Sequence, residues 1–402
     1  LRNINSDTSS GNAFYSVTPV ANGCVGSSFV VKVLVKANSA TLTSPLSLPA
    51  ICSGTAFNYT PVSNFPGTAF SWVRESMPGL QNQSNAGYSD ISETLIDTIG
   101  DPIVVKYRFS LLYNGCVNLK TQEVSVIVNP KPSLGSSLRP TPICSGNTFN
   151  YTPVSSTRDV TFSWARSYVV GITEPPTSGN NSISETLHNT TFNIVQVPYV
   201  YTLTANGCSN QQTVYEIVNP VLNLPDMTSQ ACSGSNFKIV PDNIVNAEFL
   251  WPIPKLANGL TGGTENTLIP INGITGNITN LTDTPSVASY SVQPLIPGAA
   301  TGGCLGKPFK LSVVVNPIPI LSSPRNLPSI CSGTQFNYIP TSKTPGTIFS
   351  WSRDSIVGIS NKPNKGSFSI SETLIDSTIN PVVVTYKYKT TFNGCTDSTQ
   401  TV

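Results

Sequence analysis

The tripeptide Cys-Ser-Gly occurs at Cys52, Cys144, Cys232 and Cys331, and each time it opens the same run of phrases. An aromatic segment follows within a few residues: AFNYTPV, TFNYTPV, NFKIVPD or QFNYIPT. Each run closes on a second cysteine in an Asn-Gly-Cys or Gly-Gly-Cys turn, at Cys116, Cys208, Cys304 and Cys395. A fixed period of this kind marks a tandem array. Successive Cys-Ser-Gly phrases lie 92, 88 and 99 residues apart, about the size of one small β-sandwich.

The phrases set an expected division. Residues 1–38 read as the last part of one repeat, because FVVKVLV before Lys36 parallels FKLSVVV after Pro308. Whole repeats follow over 39–130, 131–220 and 221–316, and the repeat over 317–402 stops inside its last strand. The chain reads as a window on a longer array. Two kinds of repeat occur, and residues 1–38 match the ending of the second kind. Those over 39–130, 131–220 and 317–402 carry Ile-Ser-Glu-Thr-Leu, at Ile91, Ile183 and Ile370. The repeat over 221–316 lacks it and has 72 residues between its cysteines where the others have 64.

Within a repeat the apolar period is two, the mark of strands with one buried and one wet face. Val105, Tyr107, Phe109 and Leu111 alternate with Lys106, Arg108 and Ser110, and Val384, Tyr386 and Tyr388 alternate with Thr385, Lys387 and Lys389. No long segment has a helical period. Pro-Gly, Asn-Gly and Gly-Gly punctuate the strands, and VNP at Pro130, Pro220 and Pro317 ends the last one, since proline removes a ladder donor. GLTGG near Gly262 reads as a turn-rich insertion. One tryptophan per repeat (Trp72, Trp164, Trp251, Trp351) follows a Phe two residues earlier on the same face, as a core residue would. The expected fold is therefore all-β: antiparallel Ig-like sandwiches joined end to end as a rod.

Composition narrows function by exclusion. Only 10% of residues are Asp, Glu, Lys or Arg, against a usual ~25%. The net charge of +2 has no basic cluster behind it, so nucleic acid is not an expected partner. No run is apolar and long enough to insert in a bilayer. The one histidine, His188, has no nucleophile phrase near it and reads as a surface residue. Glu93, Glu185 and Glu372 are copies of one position in different repeats, not a catalytic pair, and read as turn or inter-strand hydrogen-bond residues. The cysteine spacings do not match zinc clusters. No enzyme, cofactor or metal site is expected.

The phrases CSG, NYTP, FSW, ISETL, NGC and VNPKP, in that order, resemble the PKD-like or Ig-like repeats of giant cell-surface adhesins of Bacteroidota, the gliding-motility type included. The resemblance implies an extracellular protein exported by the type IX pathway and held at the outer membrane through regions elsewhere. Its partners would be extracellular surfaces or polysaccharides together with the secretion and motility machinery, and it would serve as an adhesive filament. Spacer and carbohydrate-binding modules of a secreted polysaccharide-degrading protein are the alternative. The resemblance also makes Thr98, Ser377 and Ser398 candidates for O-glycosylation, each following an aspartate.

Nine cysteines at repeat-locked positions suggest an oxidising compartment. Their pairing has two readings. One bridge per repeat joins Cys52 to Cys116, Cys144 to Cys208, Cys232 to Cys304 and Cys331 to Cys395. With an Ig-like strand order, however, Cys-Ser-Gly precedes the second strand and Asn-Gly-Cys follows the sixth. Those strands run the same way, so the two cysteines lie at opposite ends of a sandwich, beyond the ~6 Å that a disulfide spans between Cα atoms. That order favours a ladder instead: Cys52 to Cys208, Cys144 to Cys304 and Cys232 to Cys395, with Cys24, Cys116 and Cys331 pairing outside the window.

Overall fold

The computed structural model describes residues 10–36, 40–118, 120–242, 244, 246–298 and 302–402. Residues 1–9 and 37–38 of the N-terminal partial repeat therefore lie outside the described residues. All regular elements among the described residues are strands or short turns, and no helix occurs among them.

The sandwich around Trp72 shows the plan. Its strands are β1 (Ser47–Cys52), β2 (Ala56–Tyr59), β3 (Ala69–Arg74), β4 (Asn85–Tyr88), β5 (Ile91–Thr94), β6 (Ile103–Tyr113) and β7 (Gln122–Asn129). The larger sheet has the order β1-β7-β6-β3-β4, and β2 pairs with β5 in the facing sheet. Neighbours are antiparallel except β1, which runs parallel to β7. A parallel first strand beside the last one is the Ig-like arrangement. The period-two pattern sets which face is wet: Ile103, Val105, Tyr107, Phe109 and Leu111 of β6 are buried and the residues between them are not. Each such side chain contributes roughly 1.5–3 kcal/mol by leaving water.

The same order recurs around Trp164, from Ile143–Cys144 through Cys208–Asn219 to Thr177–Asn180. It recurs around Trp251 with a three-stranded facing sheet. There Leu260–Gly262 pairs with Ile274–Asn280, so the segment expected as a turn-rich insertion is partly a strand. Around Trp351 the sixth strand is regular from Lys387 and pairs with Gln400–Thr401, and Tyr386 and Val402 exchange backbone hydrogen bonds beside them. Near the N-terminus Gly11–Val17 and Phe29–Val35 form the hairpin that Ser286–Ile296 and Phe309–Asn316 form in the Trp251 sandwich. Each of the four sandwiches has its own buried cluster.

The tryptophans sit in these clusters, with Trp72, Trp251 and Trp351 buried and Trp164 packed partly buried against its core. A glycine on the neighbouring strand makes room for three of the rings. A Cβ on Gly87, Gly179 or Gly366 would lie 2.6–2.8 Å from the indole of Trp72, Trp164 or Trp351.

Candidate functional site: the covalent joints and the buried clamp

The Cys-Ser-Gly phrase places three residues at the end of the sandwich, each with a separate task. The glycine needs a left-handed backbone, at φ 82° for Gly54 and 84° for Gly146, which favours glycine over any residue with a Cβ. Its N–H donates to Leu95 O in one sandwich and to Leu187 O in the next. The serine ties the loop down. Ser53, Ser145, Ser233 and Ser332 each accept, through Oγ, the backbone N–H of Asp97, Asn189, Asn280 or Asp376 at 2.8–2.9 Å. With both neighbours fixed, the cysteine is aimed outward along the array.

Its partner stands on a hairpin turn. Asn114, Asn206 and Asn393 have φ of 51°, 50° and 45°, and the glycines after them are also at positive φ. Two successive left-handed residues make the tight turn that Asn-Gly favours between antiparallel strands. The turn presents the cysteine on the return strand.

The structure joins Cys52 to Cys208, Cys144 to Cys304 and Cys232 to Cys395, with Cα–Cα distances of 5.6, 5.5 and 5.4 Å. Every bridge runs from the Cys-Ser-Gly of one sandwich to the hairpin turn of the next. The one-bridge-per-repeat pairing is not formed, for a geometric reason. Cys52 ends β1 beside Asn129, at the far end of β7, whereas Cys116 lies at its near end. Cys116 pairs with Tyr113 at one end of β6 and Val128 with Ile103 at the other, so about ten residues of strand, roughly 33 Å at ~3.3 Å each, separate the two cysteines. Cys24, Cys116 and Cys331 are unbridged in the structure; Cys24 and Cys331 are exposed and Cys116 is half-buried.

Non-covalent contacts reinforce the joints unequally. Asn129, of the first VNP phrase, donates through Nδ2 to Asn206 O at 2.9 Å, and Asn393 donates to Asn316 Oδ1 at 3.1 Å. Lys36 Nζ reaches Asn114 O at 3.0 Å in the same way. Gly100 lies so close to the Ser156 carbonyl of the next sandwich that a side chain there would collide with it. The joint closed by Cys144 and Cys304 uses a Gly-Gly turn with no asparagine to clasp. A cleft of 420 Å³ opens there between Ile194 and Ile217 on one side and Ala247 and Ile296 on the other.

A second built feature lies inside three of the sandwiches. Arg74, Arg166 and Arg353 are 1–2% exposed. Arg74 donates through Nε and Nη2 to both oxygens of Glu93, at 2.9 and 2.8 Å, and through Nη2 to Gln83 O at 2.6 Å. Tyr107 donates to Glu93 Oε2 at 2.5 Å and Asn85 to Glu93 Oε1 at 2.9 Å. Glu185 holds Arg166 and Tyr199 in the same way, and Glu372 holds Arg353 and Tyr386. The repeated glutamate thus does more than the expected turn or inter-strand hydrogen bond. It is the centre of a charged clamp between the two sheets, from β5 to β3 and β6.

Burial alone would push Glu93 and Glu372 toward their neutral forms. The hydrogen bonds and charge of the arginine, the tyrosine and an asparagine outweigh it, and both carboxyls end below their ordinary value. The clamp tyrosines are raised, first by burial and then by the carboxylate they bond. Two charges satisfied this way and closed off from water offer no substrate access.

The remaining candidates are scattered. His188 is paired with Glu174 at 2.7 Å on the surface. Thr98 and Ser377 are exposed, with their hydroxyls on Gly79 O and Gly358 O at 2.8 and 3.0 Å, and Ser398 is exposed beside Asp397. The aspartates preceding the first two cap turns, accepting from Ile99 N and Thr378 N. Among the described residues no group of three His, Cys, Asp or Glu side chains could hold a metal ion, and no helix is long and apolar enough to cross a membrane.

The strand order, the parallel first strand and the repeated core define the class: a tandem array of Ig-like β-sandwiches. The PKD-like domain family matches residues 49–132 and 229–319, which cover the Trp72 and Trp251 sandwiches. Two of the four sandwiches thus match the PKD-like family, within an array whose fold is Ig-like throughout. Among solved structures it is similar to Sidekick-1 immunoglobulin domains 1–4, at 12% identity and TM-score 0.21 over 90% of this chain and 97% of that one. It is also similar to the titin I-band fragment I67–I69, at 10% identity and TM-score 0.28 over 69% and 98%. No curated protein matches it.

Proposed function

We propose that this chain is a structural segment of a secreted, surface-attached adhesive filament and carries out no catalysis itself. The observation that carries this reading is the repeated covalent joint, Cys-Ser-Gly of one sandwich to the hairpin turn of the next. Disulfides at the three joints between the four sandwiches fit an extracellular setting. Sandwiches fixed to their neighbours supply reach and stiffness, and their Ser/Thr/Asn-rich faces offer broad contacts to polysaccharide or solid surfaces. The resemblance to gliding-motility adhesins supports attachment at the outer membrane, export by the type IX pathway and a role in movement over surfaces.

Small-angle scattering from arrays of two, three and four sandwiches tests the filament. The expected particle lengthens by roughly 40 Å per unit, for strands of ~10–12 residues at ~3.3 Å. A particle that stays compact sinks the reading. Attachment of array-coated beads to polysaccharide and glass, compared with beads coated with an unrelated sandwich protein, tests adhesion.

A second reading makes the Trp251 sandwich a carbohydrate-binding module among spacers. Its favouring observation is that this unit alone departs from the others and exposes Leu268 and Ile269, at 90% and 71%. Its indole is buried and donates to Thr264 O, however, so it gives a sugar no face to stack on. Glycan-array binding by this unit and not by the Trp72 unit would favour the second reading.

A further inference from the structure

The three disulfide loops overlap. The second opens at Cys144 before the first closes at Cys208, and the third opens at Cys232 before the second closes at Cys304. From this connectivity we infer that the array is a strain-limited tether, in which unfolding its sandwiches does not lengthen it. The shortest covalent route from Cys52 to Cys395 crosses the first bridge to Cys208, follows the backbone to Cys232 and crosses the third bridge. It contains roughly 24 residues of backbone, against roughly 340 for the polypeptide itself.

That short segment has little slack. Most of it is two strands, Cys208–Asn219 and Met227–Cys232, already at β-strand rise. The first is paired along its length with Val195–Ala205, and the second runs parallel to Phe309–Asn316. The last strand of one sandwich and the first strand of the next therefore carry tension between them, and the remaining strands are shielded by the loops. A second route, through Cys144 and Cys304, runs beside the first over the middle of the array. In an array of sandwiches without such bridges, each unit that yields releases its whole length. Here a unit can lose its hydrogen bonds while the distance between its neighbours stays bounded.

The inference rests on connectivity alone and is independent of the adhesive reading, so either can fail without the other. Single-molecule pulling between handles at the two ends tests it. Cys24, Cys116 and Cys331 are replaced by Ser throughout to prevent exchange, and the bridges are mapped by mass spectrometry beforehand. At forces that unfold every sandwich, the span from Cys52 to Cys395 is expected to stop near about 80 Å when oxidised and near about 1,200 Å after reduction, at ~3.5 Å per residue.

Two variants sharpen the test, and the ceiling they read does not depend on how stably they fold. Removing the middle bridge, Cys144→Ser with Cys304→Ser, is expected to leave the oxidised ceiling unchanged. Removing the first, Cys52→Ser with Cys208→Ser, leaves as the shortest route the backbone from Cys52 to Cys144, the bridge to Cys304, the backbone back to Cys232 and the bridge to Cys395, and is expected to raise the ceiling roughly sevenfold, to roughly 160 residues. An oxidised ceiling close to the reduced one, or a rise on losing the middle bridge, overturns the proposal.

Discussion

The Trp72 and Trp251 sandwiches share a strand order but not a core. In the first, a guanidinium, a carboxylate and a phenol meet at the centre. In the second, Tyr290 takes the phenol's place and its buried hydroxyl has no hydrogen-bond partner among the described residues. Gly276 holds the register of the missing glutamate, opposite Phe237 as Glu93 is opposite Phe57. A Cβ at Gly276 would already lie 2.8 Å from the Tyr290 hydroxyl. The arginine has no counterpart either, since Ile253, two residues after Trp251, is 67% exposed. One fold thus tolerates both a charged clamp and its absence, while both units keep the Ser and Gly of the Cys-Ser-Gly loop and the bridge to the next unit. The clamp is a local choice and the joint is the shared requirement.

Breaking one half of the clamp gives the largest effect expected. Arg74→Leu leaves the Glu93 carboxylate buried without its ion partner and should cost about 3–5 kcal/mol in denaturant unfolding of the Trp72 unit. Arg74→Leu with Glu93→Leu should recover most of that loss, because the Trp251 unit already does without both groups. A double variant as unstable as the single one would show that the clamp cannot be exchanged for apolar packing.

Next comes a residue that sets the Trp164 unit apart from its neighbours. Glu216 is fully buried in a strand position where the Trp72 unit has Val126 and the Trp251 unit Val313. One oxygen accepts the Ile143 N–H at 3.1 Å and the other has no hydrogen-bond partner among the described residues. Burial pushes its pKa up to about 7, from 4.5. The folded unit holds this proton up to about pH 7, whereas the unfolded chain releases it near 4.5. Stability should therefore fall as pH rises through that window, by up to about 3 kcal/mol, and level off above it. Thermal unfolding at pH 5 and pH 8 should show the slope, and Glu216→Val should abolish it. The depressed Glu93 and Glu372 act in the opposite sense, contributing stability that is lost as pH falls below the ordinary glutamate range.

Gly87→Ala should cost about 1–3 kcal/mol, because the new methyl meets the Trp72 indole at 2.6 Å. Asn266 already occupies the corresponding place opposite Trp251, so Asn266→Ala should raise no such clash. Differential scanning calorimetry of the two variants makes the comparison.

A last contrast separates the two tyrosines. Tyr107→Phe removes a hydrogen bond to a charged group and should destabilise by about 1.5–3 kcal/mol. Tyr290→Phe removes an unpartnered hydroxyl and should be neutral or mildly stabilising in the same unfolding assay. Equal losses at both positions would mean that Tyr290 finds a partner.

Much of this was legible in the residues themselves. The strands followed from period-two runs such as Val105 to Leu111, and the tryptophans from their place after a Phe on the same face. The joints followed from asking which ends of parallel-running strands can meet. The clamp was half visible. Glu93, Glu185 and Glu372 recur, but a period shows only that a position is used, not what lies across the sheet from it. Arg74, Arg166 and Arg353 stand two residues after a core tryptophan and so on its inward face, which was the available signal. Gly87 carries no mark, because its role is the space above an indole on the neighbouring strand. Glu216 lies among polar and apolar residues with no repeat partner, and only its inward register reveals that it is buried.

The overlapping bridges have a consequence for damage as well as for load. Cleave the backbone once, at any peptide bond from Cys52 to Cys395, and at least one bridge still spans the cut. Between Cys144 and Cys208, and between Cys232 and Cys304, two bridges do. A protease that nicks an exposed loop therefore makes a scar and not two fragments. Such a molecule migrates at full length until a reductant is added, and it stays joined to itself in a medium where enzymes are plentiful and repair is absent.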